Sequence, residues 1–239
     1  MPCILNIETS TSLCSVALAM DGEVIFSKES HDGPSHASLL GVYVEEALGA
    51  AKVGNHSIDA VAVSCGPGSY TGLRIGVSMA KGLCFGYGIP LIGIRTLDLL
   101  ASEAIRHEGG ATDRLYCAMM DARRMEVYAA IYDGKLLALR PAAADVVDGQ
   151  TYADFLAKGP VCFFGNGAGK CASVIDSPNA SFIEGIEPLA SAMAPLAEKA
   201  YAVSRFEDVA YFEPFYLKEF QATIAKNKVL SEALGERHR

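Results

Sequence analysis

Basic residues are scarce in this 239-residue sequence: 20 lysines and arginines stand against 28 acidic residues, which gives a formal net charge of −8. An acidic protein repels a polyanion, and phosphate contacts need clustered Lys and Arg. The composition therefore argues against stand-alone nucleic-acid binding, so any role in RNA chemistry would need a basic partner. The mildly basic stretch is C-terminal, and we interpret it as a solvated tail rather than an RNA contact: Lys218, Lys226, Lys228, Arg237 and Arg239.

The sequence also lacks a CxxC pair, a basic leader and an apolar run long enough to cross a bilayer. Its seven cysteines are scattered through apolar segments, and an odd number fits poorly with a disulfide framework. We therefore expect buried free thiols in a reducing compartment. The longest apolar stretch, residues 82–94, is too short for a membrane span. These absences predict a soluble, cytoplasmic protein with no membrane partner.

The first half of the chain has the pattern of a hairpin followed by alternating helices and strands. Residues 3–8 and 13–20 suit two strands, and Asp21-Gly22 before a third strand at 23–28 is a strong hairpin signal. Apolar spacing and end signals then predict further elements. In chain order they are a helix over 35–52, a strand over 60–64, a helix over 71–86, a strand over 91–94 and a helix up to 107 with Thr96 as its N-cap.

The second half repeats this order. A strand at 115–120 ends on Asp121 as the first strand ended on Glu8, and a strand at 126–132 closes at Asp133-Gly134. A third strand, a helix near 151–158, a strand at 161–164 and a helix near 188–204 complete the pattern. The duplication predicts an α/β protein of the actin/hexokinase/Hsp70-like (ASKHA) fold, with two lobes that each hold a hairpin-led mixed sheet and helices. The alternative is a doubly wound parallel sheet, against which the two hairpins argue.

The segment EAIRHEGGATD interrupts the pattern near residues 103–112. We therefore expect an N-terminal lobe over residues 1–106, a smaller C-terminal lobe over 107–210 and a tail over 211–239.

The loop GPGSYTG at residues 66–72 has two interpretations. Dense glycine lets backbone N–H groups converge at a helix N-terminus, which suits an anion. The loop is neither GxxxxGK[ST] nor GxGxxG, since Leu73 follows Gly72. The spacing favours a tight strand-to-helix turn shaped for close packing against a neighbouring chain or lobe.

Glu8 and Asp121 are the candidate catalytic acids, because actin-like ATPases place two acidic strand ends across a cleft. Such enzymes also need a second glycine-rich turn that grips adenosine, and residues 165–167 match it poorly. We therefore interpret both acids as turn caps. The five histidines form no i, i+4 pair, so we expect no metal site from this chain alone.

The helices predicted at 35–52 and 71–86 are apolar around much of their circumference. Such a helix is either wholly buried or shared between its own core and a partner. Leu39, Val42 and Tyr43 lie beside the core stripe of the first helix. Polar breaks in the second helix are only Arg74, Ser78 and Lys81, among the apolar residues Leu73, Ile75, Val77, Met79, Leu83 and Phe85.

Together these segments resemble the TsaB (YeaZ) family of the bacterial tRNA threonylcarbamoyladenosine machinery. The matching stretches are ILNIETSTSLCSVAL, IDAVAVSCGPGSYTGLRIGVSMAKGL, GIPLIGIRTLDLLA, MDARRMEVYAAIY and PFYLKEF. The family is similar to its catalytic sibling TsaD, which binds a metal through a His-x-x-x-His helix and carries an acidic pair after its first strand. This sequence has Thr96 and Leu100 in place of the two histidines, and Ser12 and Leu13 in place of the acids.

The resemblance implies a non-catalytic, cofactor-free scaffold subunit that supports a TsaD-like transferase acting on the tRNA adenosine next to the anticodon. It implies pairing through the two N-lobe helices, a TsaE-like ATPase near the junction, self-pairing into a homodimer when the transferase is absent, and tRNA contact only through the complex. The alternative is an actin-fold small-molecule kinase or ATPase, or a metallopeptidase-like enzyme. The predicted partner interface comprises Leu39, Tyr43, Tyr70, Leu73, Arg74, Val77 and Lys81.

Overall fold

The computed structural model describes residues 2–31 and 36–217. The first half of the chain forms a five-stranded mixed sheet with the strand order β3-β2-β1-β4-β5. Strands β1, β2 and β3 pair antiparallel, and β4 and β5 run parallel to β1. Its elements are β1 (Cys3–Glu8), β2 (Cys14–Met20), β3 (Glu23–Ser30), α1 (His36–Val53), β4 (Ala60–Gly66), α2 (Tyr70–Tyr87), β5 (Leu91–Arg95) and α3 (Thr96–His107).

The second half builds a second five-stranded sheet with the equivalent order, β10-β9-β6-β7-β8. Its hairpin strands are again antiparallel, while β9 and β10 run parallel to β6. The duplicated architecture is therefore confirmed, and the doubly wound parallel sheet is wrong. The elements are β6 (Leu115–Asp121), β7 (Glu126–Tyr132), β8 (Ala138–Val146), α4 (Ala153–Leu156), β9 (Val161–Phe164), α5 (Ala168–Cys171), β10 (Ala180–Ile183) and α6 (Ala190–Ala202).

The two Asp-Gly pairs end their strands in different ways. Asp21 and Gly22 both have positive φ, 56° and 77°, as a type I′ turn requires. In the second hairpin Leu136 is the residue with positive φ, and the carboxylate of Asp133 accepts hydrogen bonds from the amides of Lys135 and Leu137. The second connection is therefore a longer loop organised by an aspartate side chain.

Helices cover both faces of the first sheet. The first face packs against α1 and α2 through a core that includes Leu5, Val16, Leu40, Val63 and Val77. Helix α6 covers the opposite face although it follows the second sheet in sequence, and the amide of Ala190 at its start donates to Ser15 Oγ at 3.0 Å. Helix α3 contacts the second sheet, and α4 and α5 pack on that sheet's other face. The proposed lobe boundaries stay a prediction.

Two local predictions need correction, and two short elements were missed. Thr96 is the first residue of α3 rather than its N-cap, which is Arg95, and Thr96 Oγ1 is buried with no hydrogen-bond partner in the described part of the chain. The helix expected near 151–158 is only the short α4. Helix α5 and strand β10 were not predicted, because each is only four residues long.

The seven cysteines are free and buried, as predicted. Burial raises the pKa of several thiols, to about 11 for Cys14 and Cys84, so these groups remain protonated at neutral pH. Within residues 2–31 and 36–217, no helix is both long enough and apolar enough to cross a bilayer. The basic residues of the C-terminal stretch, 218–239, lie outside the described residues.

Candidate functional site

The glycine-rich loop packs directly against the turn between β1 and β2. A Cβ at Gly68 would lie 2.5 Å from the carbonyl oxygen of Ser10, and one at Gly72 would lie 2.1 Å from that of Thr9. Neither distance is possible for a real side chain. Glycine is therefore required at both positions because two backbones approach each other, not because a ligand does.

Hydrogen bonds hold this contact closed. The amide of Ser69 donates to the carbonyl of Ser10 at 2.6 Å, and Thr9 Oγ1 donates to the carbonyl of Gly72 at 2.8 Å. Ser69 caps α2 by accepting from the amide of Gly72 at 3.2 Å. Two of the amides that could have faced an anion are thus bonded to the protein itself. The predicted tight strand-to-helix turn is confirmed, but it packs against a turn of its own lobe and not against a neighbouring chain or lobe.

Glu8 is the last residue of β1, just before this turn, and is fully buried. One carboxyl oxygen, Oε1, accepts from the amide of Ser10 at 2.5 Å. The other, Oε2, has no hydrogen-bond partner among the described residues. Burial raises the pKa of Glu8 to about 7, and nearby hydroxyls and amides of Thr9, Ser10 and Ser64 offset the rise only partly.

Asp121, its counterpart at the end of β6, is exposed to solvent. It accepts from the amide of Arg123 at 3.1 Å and pairs with Lys170, while its own amide donates to Asn166 Oδ1 at 2.9 Å. Both acids therefore cap turns, as predicted. Across the described ranges, no cluster of three or more His, Cys, Asp or Glu side chains is placed to hold a metal ion.

The outer face of α2 forms an open groove beside α1. It is lined by Ala37, Tyr70, Thr71, Arg74, Ile75, Ser78, Met79, Gly82 and Leu83, and its volume is about 840 Å³. The apolar side chains Ile75, Met79 and Leu83 are half-buried, and Phe85 beyond them is 86% exposed. The helices therefore carry apolar surface that their own lobe leaves uncovered.

The predicted interface residues divide between this surface and the core. Leu73 and Val77 are buried against the first sheet, so placing them on the outward face was wrong. Leu39, Tyr43 and Tyr70 are half-buried on the helix surfaces, and Arg74 is exposed. The residues that sequence reasoning left out of the site are Ile75, Met79 and Leu83. The inward face could have been recognised from Gly72 and Gly76, which share it with Leu73 and Val77.

The side chain of Lys81 forms hydrogen bonds within its own chain. Its ammonium donates to the carbonyls of Ala210 and Phe212, both at 3.0 Å, and so anchors the segment that follows α6. Further along, the amide of Phe215 donates to the carbonyl of Cys65 at 2.6 Å, and Arg95 lies 3.8 Å from the Phe215 ring centroid.

We call residues 207–216 the C-terminal strap. Its last residue, Tyr216, lies 5.1 Å from the ring of Tyr70 at the edge of the groove, and the Arg74 guanidinium donates to the Tyr70 hydroxyl at 2.7 Å. The strap therefore runs from the edge of the first sheet to the start of α2. Sequence reasoning did not anticipate it.

Comparisons with known proteins agree with this geometry. Residues 32–226 match the family model described as TsaD, tRNA N6-adenosine threonylcarbamoyltransferase. The protein TsaB of Escherichia coli (strain K12), described as a tRNA threonylcarbamoyladenosine biosynthesis protein, is 42% identical over 129 residues, which cover 54% of this chain and 54% of that protein. TsaB of Bacillus subtilis (strain 168) is 33% identical over 132 residues, covering 55% of this chain and 56% of that protein. The aligned segment thus spans about half the length of these curated relatives.

Among solved structures, YeaZ from Pseudomonas aeruginosa is 28% identical, with a TM-score of 0.72, and the match covers 91% of this chain and all of that one. Two hairpin-led mixed sheets of equivalent strand order define a duplicated fold of the actin/hexokinase/Hsp70 class. The chain belongs to the TsaD family of the matched model, and within that family it resembles TsaB.

Proposed function

We propose that this chain is a non-catalytic subunit that binds a TsaD-like transferase through the outer face of α1 and α2 and supports threonylcarbamoylation of tRNA adenosine. The observation that carries this proposal is the uncovered apolar groove on α2, beside a glycine-rich loop closed by its own lobe. The similarity to TsaB proteins of tRNA threonylcarbamoyladenosine biosynthesis supports the pathway.

The surface has the properties of a helical interface. Ile75, Met79 and Leu83 follow one another at four-residue spacing, so they form one stripe along α2. Gly82 has no atom within 4 Å of a hypothetical Cβ, which leaves room for a partner helix to approach closely. A standard interface buries roughly 800 Å² on each partner, an area that two adjacent helices can supply.

A non-catalytic role agrees with the residues found where a catalytic relative would carry its functional groups, and with their burial. Thr96 and Leu100, which the resemblance aligns with the metal-binding histidines, are both buried in α3 and face the core. Glu8 is buried and engaged with Ser10, and amides of the glycine-rich loop are bonded to the β1–β2 turn.

The other partners belong to the same proposal. A net charge of −8 favours tRNA contact only through the assembled complex. A TsaE-like ATPase near the junction, self-pairing through the same helices and the division into lobes at residues 106 and 210 are proposed with it.

The test is an acidic substitution in the groove. Met79→Asp strands a charge in the interface, so we expect a folded protein whose affinity for the TsaD-like partner falls at least about 100-fold. The matched control is Val146→Asp, an equally drastic change on the edge strand of the second sheet, where the side chain is 72% exposed. Circular dichroism checks folding, and titration calorimetry measures affinity. Normal pairing by folded Met79→Asp would rule out this interface.

The kinase or ATPase alternative needs a separate measurement. We expect the purified chain to show no appreciable ATP turnover, since its glycine-rich loop is closed. ATP turnover by the purified chain that is lost in Glu8→Ala would favour the enzyme.

A further inference from the structure

Among the described residues that line the groove on α2, Arg74 is the one that carries a charge. Its guanidinium has no carboxylate partner in the described part of the chain. Three other arginines, Arg106, Arg114 and Arg140, each form an ion pair with an acid of the same chain. The groove therefore combines an apolar stripe with a cation whose charge this chain does not compensate.

Two aromatic side chains hold the guanidinium of Arg74 in place. Its Nη1 donates to the Tyr70 hydroxyl at 2.7 Å, and its central carbon lies 5.2 Å from the centroid of the same ring. The ring of Tyr216, at the end of the C-terminal strap, lies 5.1 Å from the Tyr70 ring and supports it from the side. A guanidinium presents five N–H donors in a planar fork, so most of them remain for another acceptor. Because its direction is already fixed, less conformational entropy is lost when it binds.

A partner that docks in the groove also covers Arg74. Arg74 and Ile75 are neighbours on α2 and both line the groove, so a helix that packs on Ile75 and Met79 removes the guanidinium from water. A charge that is taken out of water costs free energy unless an opposite charge pairs with it. The side-chain group that matches the guanidinium fork is a carboxylate, whose two oxygens accept two parallel hydrogen bonds.

We propose that Arg74 recognises a carboxylate on the TsaD-like partner, and that Tyr70 is the positioning residue that aims the guanidinium at it. The partner surface that fits the groove is then a helix with an apolar stripe and an Asp or Glu at the end beside the C-terminal strap. The apolar stripe supplies affinity, whereas the ion pair selects the partner and fixes its direction along α2. This inference rests on the proposed function and adds the chemistry by which the groove recognises its partner.

The first experiment measures the affinity of folded Arg74 variants for the TsaD-like partner by titration calorimetry. We expect Arg74→Gln to bind at least about 30-fold more weakly, because it leaves the partner's carboxylate covered and unpaired. Arg74→Lys keeps the charge but not the planar fork, so its loss should be smaller, about tenfold. Arg124→Gln is the matched control, since it removes the same charge from an exposed position between β6 and β7. Binding of Arg74→Gln within about twofold of the wild type overturns the inference.

The second experiment identifies the carboxylate. Each Asp and Glu on the partner's helices is changed to its amide, alone and together with Arg74→Gln. One acid should weaken binding about as much as Arg74→Gln does, and combining the two changes should add little, since both remove the same ion pair. Losses that are additive for every acid overturn the inference.

The positioning role of Tyr70 has its own test. Tyr70→Phe removes the hydroxyl that accepts from Arg74 and keeps the ring, so we expect binding to weaken about threefold. The same change should have no effect in the Arg74→Gln background, a dependence that a merely structural role would not produce. Equal losses in the two backgrounds overturn the positioning role.

The groove variant Met79→Asp separates this inference from the proposed function. If folded Met79→Asp fails to pair while Arg74→Gln pairs normally, the inference is overturned and the proposed function stands. If folded Met79→Asp pairs normally, the proposed function is overturned together with the inference that rests on it. Loss of pairing in both variants, with normal pairing in Arg124→Gln, supports both.

Discussion

The two sheets each end their central strand on an acid, Glu8 on β1 and Asp121 on β6, and the protein surrounds the two acids differently. Glu8 is fully buried, and burial raises its pKa to about 7. Asp121 is exposed, pairs with Lys170 and binds the amide of Arg123. Acidic residues at equivalent positions of a duplicated fold thus cap a buried turn in one lobe and an exposed turn in the other.

The segments that follow the two acids also differ. In the first lobe, three glycines, Gly68, Gly72 and Gly76, bring α2 into contact with the β1–β2 turn. In the second lobe, α5 has only four residues, and the tip of the β6–β7 hairpin, with Arg123 and Arg124 at positive φ, stays in solvent. The two lobes thus build different surroundings around equivalent strand ends.

The largest expected effect tests the close contact itself. Gly72→Ala places a methyl group 2.1 Å from a carbonyl oxygen, so we expect the free energy of unfolding to fall by at least about 3 kcal/mol. Gly82→Ala is the matched control on the same helix, where open space predicts a gain of up to about 1 kcal/mol. Denaturant unfolding measures both. Equal stability of the two variants, within about 0.5 kcal/mol, would show that the contact is not tight.

The second prediction tests the buried acid. The folded pKa of Glu8 is raised from 4.5 to about 7, so the stability it contributes is complete below pH 4.5 and is lost as the pH rises to 7. Glu8→Gln removes this dependence, and at pH 7 we expect its free energy of unfolding to exceed that of the wild type by about 3 kcal/mol. Thermal unfolding between pH 4.5 and pH 8 measures the difference. Parallel stability curves for the two proteins would contradict a raised pKa.

The smallest effect belongs to the exposed acid. Asp121→Asn keeps an acceptor for the Arg123 amide and removes only a solvent-exposed ion pair with Lys170, so we expect a loss of less than about 0.5 kcal/mol. The loss should disappear in 1 M salt, because screening weakens the pair. Denaturant unfolding at low and high salt gives both values. A loss of unfolding free energy as large as that expected for a buried group would mean that Asp121 and Glu8 have similar surroundings.

Much of the fold could be predicted because its signals are local. The strand pattern and the Asp21-Gly22 pair predicted the bounds of the first hairpin to within about two residues. The repeated order of elements then identified the duplication. Strand β10 and helix α5 were missed because four residues carry too little periodicity to distinguish a strand or helix from a loop.

The candidate site was predicted less completely, because its decisive features are non-local. Helix α2 is apolar on most sides, so its sequence alone did not separate Leu73 and Val77, which face the core, from Ile75 and Met79, which face the groove. That separation depends on Gly72 and Gly76 contacting Thr9, more than 60 residues earlier in the chain. The C-terminal strap forms through backbone carbonyls, which leave no pattern in the sequence.

Helix α6 has a consequence for the order in which the protein is made. The face of the first sheet that contains Ile4, Ala62 and Ile92 is covered by Met193 and Ala197 of this helix. A ribosome must therefore synthesise the whole second sheet before the first can bury its second face. Until then, the earliest-made strands expose apolar surface, which chaperones recognise and on which aggregation begins. The N-terminal half is thus the first part of the chain to leave the ribosome and among the last to finish folding.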